Sequence, residues 1–274
     1  MTQEPKIFPY ITRLLQGAQV AWKPLGEVLK RTKGTKITAG QMKAIHKDKA
    51  PVKIFAGGKT VAFVNFEDIP EKDINREPSV IVKSRGIIEF EYYDKPFSHK
   101  NEMWSYYSNN KEIDIKYVYY FLKQQEPYFQ KIGSKMQMPQ ISIPDTDNFQ
   151  IPLPPIFVQQ EIVRILDKFT TLEAELEARK KQYEYYRDRL LKFDNKAEVG
   201  WKTLGEITIK IYSGGTPKTE CPEYWENGAI PWMSSGEVNL GIIYQTEKFI
   251  TEKGLLNSSA KFVPENSLVI ALAG

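Results

Sequence analysis

The sequence predicts a mixed α/β (α+β) protein with three parts: a domain of short strands and helices, one long coiled-coil helix, and an incomplete second copy of the first domain. Three observations carry this expectation. An internal repeat has copies about 180 residues apart, a proline-bounded apolar heptad run separates them, and short β-branched and aromatic runs flank that helix.

The repeat is read from three ordered matches. Trp22-Lys23-Pro24-Leu25-Gly26-Glu27-Val28 recurs as Trp201-Lys202-Thr203-Leu204-Gly205-Glu206-Ile207. Ahead of it, Tyr10-Ile11-Thr12-Arg13-Leu14-Leu15 matches Tyr186-Arg187-Asp188-Arg189-Leu190-Leu191 at Tyr, Arg, Leu and Leu. Further on, Pro78 to Val82 ending at Gly86 resembles Asn266 to Ile270 ending at Gly274. A period this long means two copies of a whole domain, since solenoid repeats run to about 20 to 50 residues. The second copy runs out at Gly274, so one and a half units are expected. The expected divisions are an N-terminal helical segment over 1–21, a first domain over 22–155, a spacer helix over 156–198 and an incomplete second domain over 199–274.

Ile151-Pro152-Leu153-Pro154-Pro155 forces an extended entry and suits a first helical turn, so a helix is expected to begin near Ile156. From Ile156 to Phe193 there are 38 residues without Gly or Pro. Heptad position a falls on Ile162, Phe169, Leu176, Tyr183 and Leu190, and position d on Ile165, Leu172, Arg179, Tyr186 and Phe193. Nine of these ten are apolar or aromatic, the pattern of a coiled-coil seam. At about 1.5 Å per residue the rod would measure about 57 Å. The alternative is a helix lying along its own domain. Strands are expected at Val61–Val64, Val80–Val82 and Gly86–Tyr92, and an amphipathic helix at Ile113–Gln125. The second copy is expected to open with the same strand before its loop at Ser213-Gly214-Gly215-Thr216-Pro217.

Composition narrows the function classes. No apolar run approaches the roughly 18 residues of a membrane span, and the start Met1-Thr2-Gln3-Glu4-Pro5-Lys6 lacks the parts of a signal peptide, so a cytoplasmic location is expected. One cysteine, Cys221, and two histidines, His46 and His99, exclude an internal disulfide and a Cys/His zinc site. The net charge of +4 is modest but uneven. Between Lys30 and Lys59 nine basic residues face one acid, Asp48. Such a run reads either as a polyanion-binding surface or as a solvated lysine-rich face.

Catalytic motifs fail on inspection. Gly57-Gly58-Lys59-Thr60 lacks the first P-loop glycine and runs into an expected strand, so it reads as a β-turn. No Gly-flanked serine accompanies a histidine. Glu112-Ile113-Asp114-Ile115-Lys116 has the acids and lysine of a nuclease site, yet at a helix start they read better as first-turn acids. Pro154-Pro155 lacks the polar residue of a DNA methyltransferase loop. Without visible catalytic machinery, two basic, aromatic-rich domains held apart by a rod suit a duplex: about 57 Å spans about 16 to 17 base pairs at ~3.4 Å each. A coiled-coil interaction protein whose basic domains bind an acidic protein is the other reading.

The sequence resembles the specificity subunit of type I restriction-modification systems. The resemblance rests on Ile151–Pro155 with Gln159-Gln160-Glu161-Ile162-Val163, Leu166-Asp167-Lys168-Phe169, Lys181–Arg187 and Leu190-Leu191, and on Gly215-Thr216-Pro217, Tyr224-Trp225 and Ile230-Pro231-Trp232 in the second copy. It implies two target-recognition domains, each reading half of a split double-stranded DNA target, separated by antiparallel helices. It also implies recruitment of two methyltransferase subunits and two translocating endonuclease subunits, to which S-adenosylmethionine, ATP and Mg²⁺ chemistry belongs, leaving this chain non-catalytic. The second domain is cut short and the second helix is missing from the pattern. The seam of Ile162, Ile165, Phe169, Leu172, Leu176, Tyr183, Tyr186 and Leu190 is then expected to pair with a second copy of itself. In the first domain, Lys36, Lys43, Lys47, Lys59, Lys83, Arg85, His99, Lys100 and Lys135 are the candidate DNA contacts, most of them to phosphates. Arg85, Asn101, Gln137 and Gln140 are candidates for base edges, because they carry directional donors and acceptors. The alternative for each is a loop-stabilising or solvated polar residue.

Overall fold

The computed structural model describes residues 9–134, 138–193 and 199–271, and divides into a unit ending at Arg189 and another beginning at Leu190. In the first unit α1 (Pro9–Leu15), β1 (Ala21–Pro24), α2 (Leu25–Val28), β2 (Lys30–Arg31) and α3 (Ala39–Ile45) come first. Next are β3 (Val52–Phe55), β4 (Val61–Val64), β5 (Ser79–Lys83), β6 (Glu89–Tyr93), β7 (Phe97–His99) and β8 (Trp104–Tyr107). The unit finishes with α4 (Ile115–Gln124), α5 (Glu126–Gly133), α6 (Ile143–Asp147), β9 (Gln150–Leu153) and α7 (Ile156–Leu190).

Three sheets result, in the orders β2-β8-β5-β6, β4-β3-β7 and β1-β9. Ser79 to Val82 of β5 are buried, which explains a run of consecutive apolar residues rather than an alternation: the strand lies between β6 and β8 with both faces covered. Helices α4 and α5 supply the main core, where Val118, Leu122 and Phe129 meet Val80, Val82, Phe90 and Tyr106. Asp114 caps α4, accepting from the amides of Lys116 at 2.8 Å and Tyr117 at 3.2 Å, so the acids before this helix serve its first turn. A smaller core joins Met42 of α3 to Val52, Ile54, Ala62 and Val64. Between β3 and β4, Gly57 to Thr60 form the expected turn: the Ala56 amide donates to the Thr60 carbonyl at 3.0 Å, and Gly58 takes φ +64°.

Strand β1 pairs antiparallel with β9 from Ala21↔Leu153 to Pro24↔Gln150, tying the first strand of the unit to the last. Pro154 and Pro155 cannot extend β9 as a paired strand, and α7 begins directly after them. Gln159 anchors its first turn. Its buried amide donates to the carbonyls of Pro154 at 2.8 Å and Glu112 at 3.0 Å and accepts from the Asp114 amide at 3.0 Å.

The second unit holds α8 (Leu204–Ile207), β10 (Ile230–Trp232), β11 (Lys248–Ile250) and α9 (Glu252–Leu256), with β10 and β11 paired antiparallel. Trp225 meets Trp232 edge to face at 5.2 Å, and Ile250 is the buried large apolar side chain among its described residues. The expectation that the second copy opens with the same strand is corrected, and the other matched segment differs as well. Trp201 to Thr203 form no strand, and neither do Asn266 to Ile270, although their first-copy counterparts belong to β1 and β5. Strand β1 is held by β9, and β5 by β6 and β8; among the described residues of the second unit no strand stands in those places, and an unpaired strand leaves its backbone groups to water.

Phe129 is fully buried and packs edge to face on Phe90 at 5.1 Å and against Phe149 at 4.8 Å. Phe129→Ala is expected to cost about 3 to 5 kcal/mol, read as a lowered urea midpoint of the first unit's tertiary signal.

Candidate nucleic-acid interface

The basic residues separate by what they touch. In β5, pairing of Lys83 with Glu89 sets the Lys83 ammonium 3.5 Å from Glu89 and 2.9 Å from Glu91, with the side chain only 11% exposed. Lys53 reaches Glu91 at 3.1 Å and lies over the Phe55 ring. Burial pushes the Glu91 carboxyl up, but the two lysines outweigh it and hold the group below its usual range. Lys83 is thus held inside an ion-pair network, contrary to its expected role as a DNA contact.

His99 is the second correction. It is fully buried at the end of β7, with Nδ1 3.0 Å from the Lys100 carbonyl and Nε2 2.8 Å from Thr32 Oγ1. An Nδ1–H that donates to the carbonyl leaves Nε2 to accept from the threonine hydroxyl. The Thr35 amide donates to the His99 carbonyl at 2.8 Å. At Gly34 any Cβ would stand 2.4 Å from the same oxygen, so only glycine fits. His99 therefore fixes the segment leading to Lys36 instead of meeting a ligand.

Around that joint the structure gathers loops distant in sequence. Thr35 bridges Lys100 in parallel fashion, which sets Lys36 beside the β7–β8 turn. In that turn Lys100 pairs with Glu102 at 2.6 Å, and the Asn101 side-chain amide, its nitrogen assigned to the inward position because only acceptors face it there, lies 2.9 Å from the Gly34 carbonyl and 3.3 Å from that of Thr35. Ser84 Oγ donates to the Glu102 carbonyl at 2.8 Å, and the Ile141 amide donates to the Ser84 carbonyl at 3.0 Å. Arg85 and Gln140 then stand opposite each other in an isolated antiparallel bridge, and Gly86 turns away at φ +74°. Arg85 is exposed and Gln140 half-buried. These contacts tie together the loops that carry Lys36, Arg85 and Gln140, whereas Lys100 is engaged by Glu102 and the Asn101 amide by the backbone.

Lys43, Lys47 and Lys59 lie on the elements around the smaller core: α3, the loop after it and the β3–β4 turn. Lys43 and Lys59 are exposed, whereas Lys47 contacts Asp68 at 2.8 Å and keeps that carboxyl below its usual range. Lys135 and Gln137 lie outside the described residues. Two residues were missed: Ile87 and Met138, 59% and 63% exposed, which flank the hydrogen bond from the Gly86 amide to the Pro139 carbonyl. The expected strand from Gly86 hid Ile87. The observed strand starts at Glu89, and the tip before it is free.

Helix α7 has two unlike faces. At about 100° per residue, Gln159, Val163, Asp167 and Thr170 share one side. There Asp167 accepts from Lys116 at 2.7 Å and from the Tyr120 hydroxyl at 2.6 Å, docking the helix on α4. The seam lies on the opposite side. Ile162 and Ile165 are half-buried, but from Lys168 onward every residue of the helix is exposed, which excludes a helix lying along its own domain. Phe169, Leu172, Leu176, Tyr183, Tyr186 and Leu190 are all more than half exposed, and Arg179 meets Glu175 at 3.7 Å. At its N-terminal end the seam side carries Glu161, held by Arg164 at 2.6 Å and by the Tyr10 hydroxyl of α1 at 2.8 Å. Arg164 first and Tyr10 second draw that carboxyl down to about 2.

Among the described residues no three His, Cys, Asp or Glu side chains are grouped to hold a metal ion, and no helix is long and apolar enough to cross a membrane. The arrangement offers cationic and amide donors on loops and one apolar seam on a rod. A sequence profile described as the type I restriction modification DNA specificity domain matches residues 19–183, and the chain belongs to that family. It is 39% identical over 279 residues to the type I restriction enzyme EcoR124I/EcoR124II specificity subunit of Escherichia coli, covering 96% of this chain and 66% of that one. To the EcoprrI specificity subunit of Escherichia coli it is 36% identical over 118 residues, covering 37% and 29%. The crystal structure of the type I restriction-modification S subunit from M. genitalium shares the fold, with a TM-score of 0.57 at 19% identity over 92% of this chain and 64% of that one. The chain therefore spans at most about two thirds of the length of these relatives.

The buried histidine gives the fold a pH dependence. Burial holds the His99 imidazole below its ordinary value, so below about pH 6.5 the unfolded chain takes up a proton that the folded chain refuses. Stability is expected to fall as pH drops from 7 through 6.5 toward the depressed folded value. Urea midpoints at pH 7.5 and 5.5 check this, and the drop should shrink in His99→Gln.

Proposed function

We propose that the chain is a non-catalytic, cytoplasmic DNA-recognition subunit of a type I restriction-modification complex, reading half of a bipartite target with its first unit. The observation that carries this is the joining of the loops of Lys36, Arg85 and Gln140 by backbone pairing and by His99, within a family defined by DNA specificity. Rigid loops that present cations and amides to one surface suit a duplex, with cations on phosphates and Arg85 and Gln140 toward base edges. The exposed tip of Ile87 and Met138 suits apolar contact with thymine methyls. Methyltransferase and endonuclease subunits are the proposed protein partners, bringing S-adenosylmethionine, ATP and Mg²⁺ chemistry with them.

The exposed seam further supports a two-fold homodimer. In an antiparallel coiled coil, position a of one helix faces position d of the other, and the register with fullest overlap sets Leu176 against Leu172 and Phe169 against Arg179 of the second copy. Two first units at opposite ends of the rod would read two inverted half-sites.

Filter binding against salt tests the DNA reading. Neutralising Lys43, Lys47 and Lys59 together should weaken binding to all sequences and flatten the log–log salt slope by about two units, at about 0.9 per phosphate contact, because Lys47 is already engaged by Asp68. An unchanged slope removes this face from the interface; affinity for an acidic protein without affinity for duplex favours the interaction-protein reading. Arg85→Ala should instead lose about 1 to 3 kcal/mol of discrimination at particular bases. Light scattering decides the dimer: a mass of one chain at micromolar concentration defeats it, and Leu176→Asp should split a dimer while leaving the helix formed.

A further inference from the structure

Tyr10-Ile11-Thr12-Arg13-Leu14-Leu15 and Tyr186-Arg187-Asp188-Arg189-Leu190-Leu191 share Tyr, Arg, Leu and Leu at the same spacings. The first forms α1, and its Tyr10 hydroxyl donates to Glu161 Oε1 at 2.8 Å. The second is the end of α7 and contributes Tyr186 and Leu190 to the seam. In the antiparallel register that sets Leu176 against Leu172, Tyr186 of a second helix falls opposite Ile162, beside Glu161. That is where Tyr10 now sits. We infer that α1 is a tethered copy of the end of α7, occupying on Glu161 the place that the Tyr186–Leu191 segment of a second copy takes when two long helices pair.

The geometry of the acceptor fits exchange. Arg164 grips Glu161 through Nε at 2.6 Å and Nη2 at 2.6 Å, which orients the carboxylate whichever tyrosine reaches it. Helix α1 has no fully buried residue; Tyr10, Ile11, Leu14 and Leu15 are half-buried, so it can leave without opening the core. A short tether keeps it at an effective concentration on the order of millimolar. Pairing by the second copy is thereby weakened in proportion to the fraction of chains with α1 seated. The N-terminal segment becomes a competitive brake on association of the rod. This rests on the antiparallel pairing proposed above, but it is tested apart from it.

The probe is a fluorescein-labelled peptide of residues 180–193, titrated by anisotropy onto the full chain, onto the chain lacking residues 1–17, and onto full-length Tyr10→Phe and Glu161→Gln. Deletion should tighten peptide binding at least about tenfold; Tyr10→Phe should tighten it by a smaller factor, and Glu161→Gln should abolish the gain when combined with the deletion. Equal affinity with and without residues 1–17, or binding to neither, overturns the inference. If the deleted chain does not fold, the Tyr10→Phe comparison decides, and no gain there overturns it. Light scattering on the same samples reads the dimer separately: a deleted chain that stays monomeric yet binds the peptide retains the role of α1 and removes the homodimer.

Discussion

The pairing of Ala21–Pro24 with Gln150–Leu153 is the constraint on which the rest depends. It joins the first strand of the first unit to the last, across more than a hundred residues of chain, and hands the backbone through two prolines to α7. It also brings α1, just ahead of Ala21, to the start of the long helix, where Tyr10 finds Glu161. The contrast with the second copy shows what the pairing supplies. Trp22-Lys23-Pro24 is a strand because β9 lies beside it, whereas Trp201-Lys202-Thr203 is not, although the two heptapeptides are nearly the same. A two-residue-period backbone needs an external partner for its hydrogen bonds, so identity of sequence does not carry identity of structure.

Within that frame, internal pairing sorts the charges. Lys83 and Lys53 are spent on Glu91, Lys47 on Asp68, Arg31 on Asp147 and Lys116 on Asp167. What remains outward of the run from Lys30 to Lys59 is Lys30, Lys33, Lys36, Lys43, Lys49 and Lys59, with Arg85 beyond it. A basic run therefore overstates the interface it suggests. The buried His99 has the reverse character: a titratable group in a lysine-rich segment that touches only protein, yet shapes the surface by fixing the loop before Lys36.

The long helix divides its work by face. Its first turns are held by Gln159 and Asp167 on α4, and the remaining turns project with their apolar seam open. A helix of good intrinsic formers with i,i+4 pairs such as Glu175–Arg179 can persist in water, but a stripe of Phe, Leu and Tyr more than half exposed favours association. The end of the rod nearest the first unit is thus covered, and the rest carries an open apolar stripe.

The sequence by itself determined the long helix, from its heptads and lack of Gly and Pro; the hairpin turn at Gly57–Thr60; the amphipathic helix after Asp114; and the family, from motifs at either end of the rod. These are legible because they depend on neighbours within a few residues. Tertiary structure alone decided that Arg85 and Gln140 stand opposite each other while Lys83 and His99 turn inward, that Ile87 is a free tip and not a strand, and that the second Trp-Lys heptapeptide lacks its strand. Each of these depends on a partner distant in the chain, and burial and backbone pairing with such partners leave no local periodicity to read.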